Sequence, residues 1–149
     1  MTPGTYLRKR REAAGISLDA AALTLSVDFE SNRPKGIVYQ ADIVTFFGRL
    51  CAAENDADNL TVAQAAMLRR VYSFDMAVYE ALLLRHYGCA VPIPQVCREC
   101  ACSWNDPCHQ PEHGPCAWSD HDPELCTGCE RRHAGEWPDA PLPEGAAHA

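Results

Sequence analysis

The chain has 149 residues, enough for one ordinary domain or a helical domain with a small appendage. At 47% hydrophobic it can bury a core, which excludes a chain disordered throughout. The net charge of −7 is uneven: residues 1–50 carry seven Lys/Arg against five Asp/Glu, residues 51–96 three against five, and residues 97–149 three against ten, so the acidic last third should repel phosphate unless bound metal offsets its charge.

Residues 5–14 read as a helix, with Tyr6 and Leu7 as apolar contacts, the charged run Arg8 to Arg11, and Gly15 where a C-terminal cap belongs. Ser17 follows as an N-cap, with Asp19 in the first turn and Leu18, Ala21, Ala22 and Leu25 as the buried stripe of a second helix. Residues 28–36 read as a polar loop. Residues 38–53 resume as an apolar helix, and Asn55 to Asn59 form a solvated turn. Thr61 or Asn59 caps a helix through Val71. Ser73 is expected to cap the last helix, Phe74 to Tyr87, which Gly88 ends.

Ala90-Val91-Pro92-Ile93-Pro94 is a stiff connector, since each proline biases its predecessor away from helix. The expected organisation is a helical, helix-turn-helix-like domain over 1–89, a Pro-containing linker over 90–96, a Cys-rich module over 97–132 and a mobile tail over 133–149. The fold class is mainly α: a small helical bundle followed by a small Cys-rich module with little regular structure.

Seven of the nine cysteines fall between Cys97 and Cys129, and two pairs are Cys-x-x-Cys, Cys97 with Cys100 and Cys126 with Cys129. Each such turn aims two thiolates at one point, and two turns make a tetrahedral sulfur cage. A segment of this size with few aliphatic side chains needs a staple, and metal supplies it. The first assignment is one zinc on Cys97, Cys100, Cys126 and Cys129. A second zinc on Cys102, Cys108 and Cys116, with His109 or His113 as fourth ligand, stands beside the alternative that these three cysteines are small buried hydrophobes. An iron–sulfur cluster competes with zinc, because cysteine crowding alone does not separate them. Cys51 and Cys89 stand apart and are not expected to be ligands. Trp104 and Trp118 are expected to pack over the cage rather than offer a stacking platform.

Met1-Thr2-Pro3-Gly4-Thr5 opens no signal peptide, and no stretch approaches the length of a membrane span, so the expected location is cytoplasmic, where thiols stay reduced and favour metal over disulfides. His109-Gln110-Pro111-Glu112-His113 matches a zinc-peptidase pattern, but that chemistry needs both histidines on one long helix, and Pro107, Pro111, Gly114 and Pro115 oppose one. The zinc-deaminase pattern also fails, for want of a His-x-Glu before a Pro-Cys-x-x-Cys. A four-cysteine metal has no open position, so the expectation is a non-enzyme.

The stretch from Tyr6 to Ala22, Tyr-Leu-Arg-Lys-Arg-Arg-Glu-Ala-Ala-Gly-Ile-Ser-Leu-Asp-Ala-Ala-Ala, resembles the start of a Cro/C1-type (XRE-type) helix-turn-helix domain of bacterial or phage regulators. The resemblance covers about residues 5–25 and implies duplex DNA as partner, with Arg8, Lys9, Arg10 and Arg11 on phosphates and Ser17, Asn32, Arg33 and Lys35 near the groove. The chain departs from the family where a recognition helix should follow, because Asp28 to Gly36 does not read as a groove helix. The implied function is a zinc-binding, transcription-associated regulator, in which the Cys-rich module meets a protein partner and a homodimer is compatible. The alternatives are a protein-interaction adaptor with a degenerate helix-turn-helix core, and a metal or redox sensor.

Overall fold

The computed structural model describes residues 1–31, 40–110 and 112–136. They form a mainly helical fold with a Cys-rich region at its C-terminal end. Among the described residues no helix is long and apolar enough to cross a membrane.

Helix α1 (Pro3–Ala13) begins two residues before the expected start. Thr2 caps it by accepting from the Thr5 amide, and Pro3 occupies the first turn, where its missing N–H costs nothing. Gly15 ends the pair's turn at φ +68°, a left-handed conformation that suits glycine. Ser17 opens α2 (Leu18–Ser31) as expected, its Oγ accepting from the Ala20 amide at 3.1 Å. α2 runs on through Ser31, so Asp28 to Ser31 are helical rather than loop. The apolar stripe set by Ala21, Ala22 and Leu25 carries the helix past the polar residues that suggested a break. The rest of that expected loop, and the expected helical positions Val38 and Tyr39, lie outside the described residues.

Helix α3 (Gln40–Glu54) packs against both α1 and α2. Its end meets the start of α1 so closely that a Cβ on Gly4 would lie 2.2 Å from the Ala53 carbonyl oxygen. Asp56 seals this contact, accepting from the Gly4 amide at 2.8 Å and from Thr2 Oγ at 2.5 Å. Helix α4 (Val62–Leu68) carries a capping box between Thr61 and Gln64 and stops three residues before the expected end at Val71.

Helix α5 (Met76–His86) is capped by Asp75, not Ser73, and Phe74 precedes the helix. Asp75 Oδ1 accepts from the Ala77 amide at 2.9 Å. Phe74, at the position before the cap, is fully buried and meets Tyr79 edge-on at 6.2 Å, a hydrophobic staple across the helix start. The burial of Phe74 therefore sets the boundary over the local preference of Ser73. Tyr6, Phe74 and Tyr79 form the aromatic centre of a core that also takes in Leu7, Ala21, Ala22, Leu25, Leu50, Leu68 and Leu82. The Tyr6 hydroxyl, deep in this core, is satisfied by the Asp75 backbone, accepting from its amide at 2.8 Å. Burial pushes that phenol well above its ordinary value and pushes Tyr79 up to about 12, so both stay neutral donors.

After the extended stretch following Gly88 the chain enters the Cys-rich region. It holds a two-stranded antiparallel hairpin, β1 (His109–Gln110) and β2 (Gly114–Pro115), and a last short helix, α6 (Thr127–His133). Across the connector bearing Pro92 and Pro94 the two parts touch. Ala101, from inside the Cys-rich region, is 0% exposed and belongs to the core of the helical domain, and Val96 packs against that core.

A polar seam completes the docking. Arg10 donates to Asp106 Oδ2 at 2.5 Å, and Ser73 Oγ donates to the other Asp106 oxygen at 2.6 Å. Ser103 Oγ and Asn105 donate to Asp75 Oδ2 at 2.8 and 3.1 Å, and Lys9 Nζ donates to the Glu99 carbonyl at 3.0 Å.

Candidate metal centre

Three pieces of local structure bring the sulfurs together. The first is the turn from Cys97 to Cys102, closed by the Ala101 amide on the Cys97 carbonyl and the Cys97 amide on the Cys102 carbonyl, both at 2.9 Å. Ala101 takes φ +59° in this turn, a left-handed conformation costly for a residue with a Cβ. That twist lets Cys100 and Cys102, only two residues apart, both face the sulfur cluster while the Ala101 methyl enters the helical core.

The second piece is the β1–β2 hairpin. His109 pairs with Pro115 and Gln110 with Gly114, so the next rung outward sets Cys108 opposite Cys116. The Cys116 amide donates to the Cys108 carbonyl at 2.8 Å, and the Cys108 amide donates to Cys116 Sγ at 3.2 Å. Gln110 is buried and accepts from Arg131 of α6 at 2.6 Å, which ties the hairpin to that helix.

The third piece is the start of α6, where Cys126 is the N-cap and its Sγ accepts from the Cys129 amide at 3.4 Å. The Cys126 amide donates in turn to Cys97 Sγ at 3.4 Å, joining the two Cys-x-x-Cys turns. Trp118 forms a β-bridge with Cys126 and packs on the cluster.

The resulting sulfur cluster contains two groups of four whose Sγ atoms all lie within 4.8 Å of one another. They are Cys97, Cys100, Cys126 and Cys129, all buried, and Cys100, Cys102, Cys108 and Cys126. Nearest separations run from 3.5 Å between Cys100 and Cys108 to 3.7 Å between Cys100 and Cys126. Four ligands around one ion at a metal–sulfur distance of about 2.3 Å stand about 3.8 Å apart along a tetrahedral edge, so either group fits one ion. Contacts from Cys102 and Cys108 hold the Cys100 thiol below its ordinary value, those from Cys100 and Cys102 do the same for Cys126, and contact with Cys100 raises Cys102. A metal ion removes this competition by taking the thiolates together.

The four cysteines first expected as ligands are thus gathered, and Cys102 and Cys108 join them. Cys116 lies at the rim, its Sγ 3.4 Å from Cys108 and 3.6 Å from Cys102. Both expected histidine ligands, His109 on β1 and His113 at the hairpin tip, are exposed and belong to neither group. That the segment folds as a hairpin also removes the helix a His-x-x-Glu-His site requires. Cys51 is half-buried in α3 and Cys89 is exposed, both outside the cluster. Trp118 covers the sulfurs as expected. Trp104 does not: at 75% exposure it projects from the turn between Ser103 and Asp106.

The residues expected at nucleic acid are spread among different tasks. Arg11 makes a two-pronged ion pair with Glu54 of α3, both contacts at 2.7 Å, and Arg10 is buried against Asp106. Lys9 holds the Glu99 carbonyl. Arg8 makes no hydrogen bond or ion pair among the described residues. Ser17 serves as the α2 cap. Asn32, Arg33 and Lys35 lie outside the described residues. The functional side chains that the sequence left unmarked are Asp75, Ser103, Asn105 and Asp106, which join the Cys-rich region to the helices. Their only local signal is the cluster of cap-forming residue types around them. No family model, curated protein or solved structure matches the chain.

Proposed function

We propose that this chain is a zinc-stapled, non-enzymatic binding protein of the helix-turn-helix regulator type. The observation that carries this reading is the buried four-sulfur group of Cys97, Cys100, Cys126 and Cys129. Four thiolates fill the coordination sphere of a tetrahedral ion and leave no position for a substrate or an activated water, so the metal holds the fold. Zinc is favoured over an iron–sulfur cluster by compactness: sulfides between irons would spread the cysteine sulfurs beyond the sphere of a single ion, whereas these sulfurs sit at single-ion spacing. The test is elemental analysis of anaerobically purified protein together with its visible spectrum. Zinc in a colourless protein is expected; iron with charge-transfer absorption overturns the reading.

In the regulator reading, duplex DNA meets Arg8 and Lys9 on α1 and Ser17, while Arg10 and Arg11 act inside the protein. Fluorescence polarisation with a labelled duplex should give binding that weakens steeply with salt, and the absence of salt-dependent binding at low ionic strength removes the DNA partner.

One observation favours a protein partner instead. Leu23 and Val27 of α2 and Val44 and Phe47 of α3 leave apolar side chains exposed at helical spacing, beside two arginines already committed inside the molecule. In this adaptor reading the helices bind protein and the chain has no duplex affinity. Light scattering on the purified protein tests the simplest case, a second copy of this chain.

A further inference from the structure

We propose that the seven clustered cysteines hold two metal ions in one binuclear cluster, with the Cys126 thiolate bridging both. Cys97, Cys100 and Cys129 complete the first tetrahedron, and Cys102, Cys108 and Cys116 complete the second. This deepens the zinc-staple reading and rests on it.

Stoichiometry and geometry lead to the same arrangement. Two tetrahedral ions present eight ligand positions, and the cluster offers seven sulfurs, so one sulfur must serve twice unless another residue type contributes. Among the described residues no His, Asp or Glu enters either group with the sulfurs, His109 and His113 included. Their exposure has a local cause. Side chains alternate along a strand, so with Cys108 turned toward the sulfurs His109 faces away, and His113 sits at the hairpin tip.

The shared sulfur must reach both halves. Cys100 and Cys126 are the two members common to both four-sulfur groups. Cys126 lies 3.6 Å from Cys108 of the second half and 3.7 Å from Cys100 of the first, and its amide holds Cys97. Of the two shared sulfurs, Cys126 also accepts an amide hydrogen bond, from Cys129 at 3.4 Å.

The second site is built rather than incidental. The hairpin register places Cys108 opposite Cys116, and the Ala101 twist turns Cys102 inward beside Cys100. Cys116 Sγ then lies within 3.4 Å of Cys108 and 3.6 Å of Cys102, and it accepts an amide hydrogen bond from Cys108. Such amide bonds stabilise thiolate over thiol. Cys97 and Cys126 receive the same kind of bond, so sulfurs of both halves carry the mark of a ligand.

The test is made on the full chain, by native mass spectrometry for metal content and by cadmium-113 NMR after exchange. Two metals per chain are expected, with two thiolate-region resonances that split each other by scalar coupling through the shared sulfur. Two resonances without mutual splitting overturn the bridge. One metal per chain overturns the second site and leaves the zinc staple standing, whereas no metal overturns the staple itself. Cys116→Ser should lose one metal and the splitting while keeping the other metal, and a His109→Ala, His113→Ala double variant should keep both metals. Loss of a metal in the histidine variant would hand the fourth position to imidazole and also overturn the bridge.

Discussion

Arg11 and Glu54 show how a residue's type can be read correctly and its task missed. A basic run on the first helix suggests phosphate, but Glu54 is only 4% exposed and its two oxygens match the guanidinium fork at 2.7 Å each. The pair raises Arg11 above its ordinary value, first through the hydrogen bonds it donates to Glu54. Arg11→Ala leaves a buried carboxylate without its partner and should destabilise the protein by about 3 kcal/mol in chemical denaturation, whereas a surface arginine would cost a few tenths. Tyr72 is the converse case. Its hydroxyl is buried with no hydrogen-bond partner among the described residues, and burial drives its phenol well above the ordinary range. Tyr72→Phe keeps the ring packed at a tilt against Phe74 and should stabilise the protein by about 1 kcal/mol, read as a higher denaturation midpoint. The Arg11–Glu54 pair spans 43 positions, so no window of neighbouring residues could have disclosed it.

Among elements, the α1–α2 turn was legible because its signals are local: a glycine that must adopt positive φ and a serine that caps the next helix. The clustered cysteines were legible because their chemistry allows few other uses. The start of α5 was not, because Asp75 answers to two domains at once. Burial would raise its carboxyl, but Ser103, Asn105 and the amides of Ala77 and Val78 outweigh burial and hold it below its ordinary value of 3.8. A depressed folded value means that this carboxylate adds stability above the unfolded value, which is lost as pH falls through the lower folded one. Asp75→Asn should therefore cost about 1 kcal/mol at neutral pH, with the gap from the parent chain closing below about pH 4. Unfolding curves of both proteins across that range check the sign, and a gap that widens in acid would assign the stabilisation elsewhere. The hairpin was equally hidden, since its pairing shows only when Cys108 and Cys116 are brought face to face. Trp104 stays exposed for a related reason: its turn is anchored by Ser103 and Asp106, and the cluster needs only Trp118 as cover.

For the molecule as a whole, the proline connector suggested two halves, yet Ala101, Asp75 and Asp106 make one packed unit. Removing the metal should accordingly be felt in both halves. With chelator, hydrogen exchange is expected to lose protection over residues 97–136 and to weaken it at Tyr6, Phe74 and Tyr79; unchanged protection in the helices would make the Cys-rich region an independent attachment. The pairing of Arg10 with Asp106 spans 96 positions. At ordinary rates of protein synthesis the carboxylate leaves the ribosome roughly 5 to 20 s after the arginine it neutralises. Until then the Arg10 guanidinium has only water to offset its charge, so the final seating of the first helix comes after the last third has emerged. In the zinc-staple proposal, that seating also waits on metal.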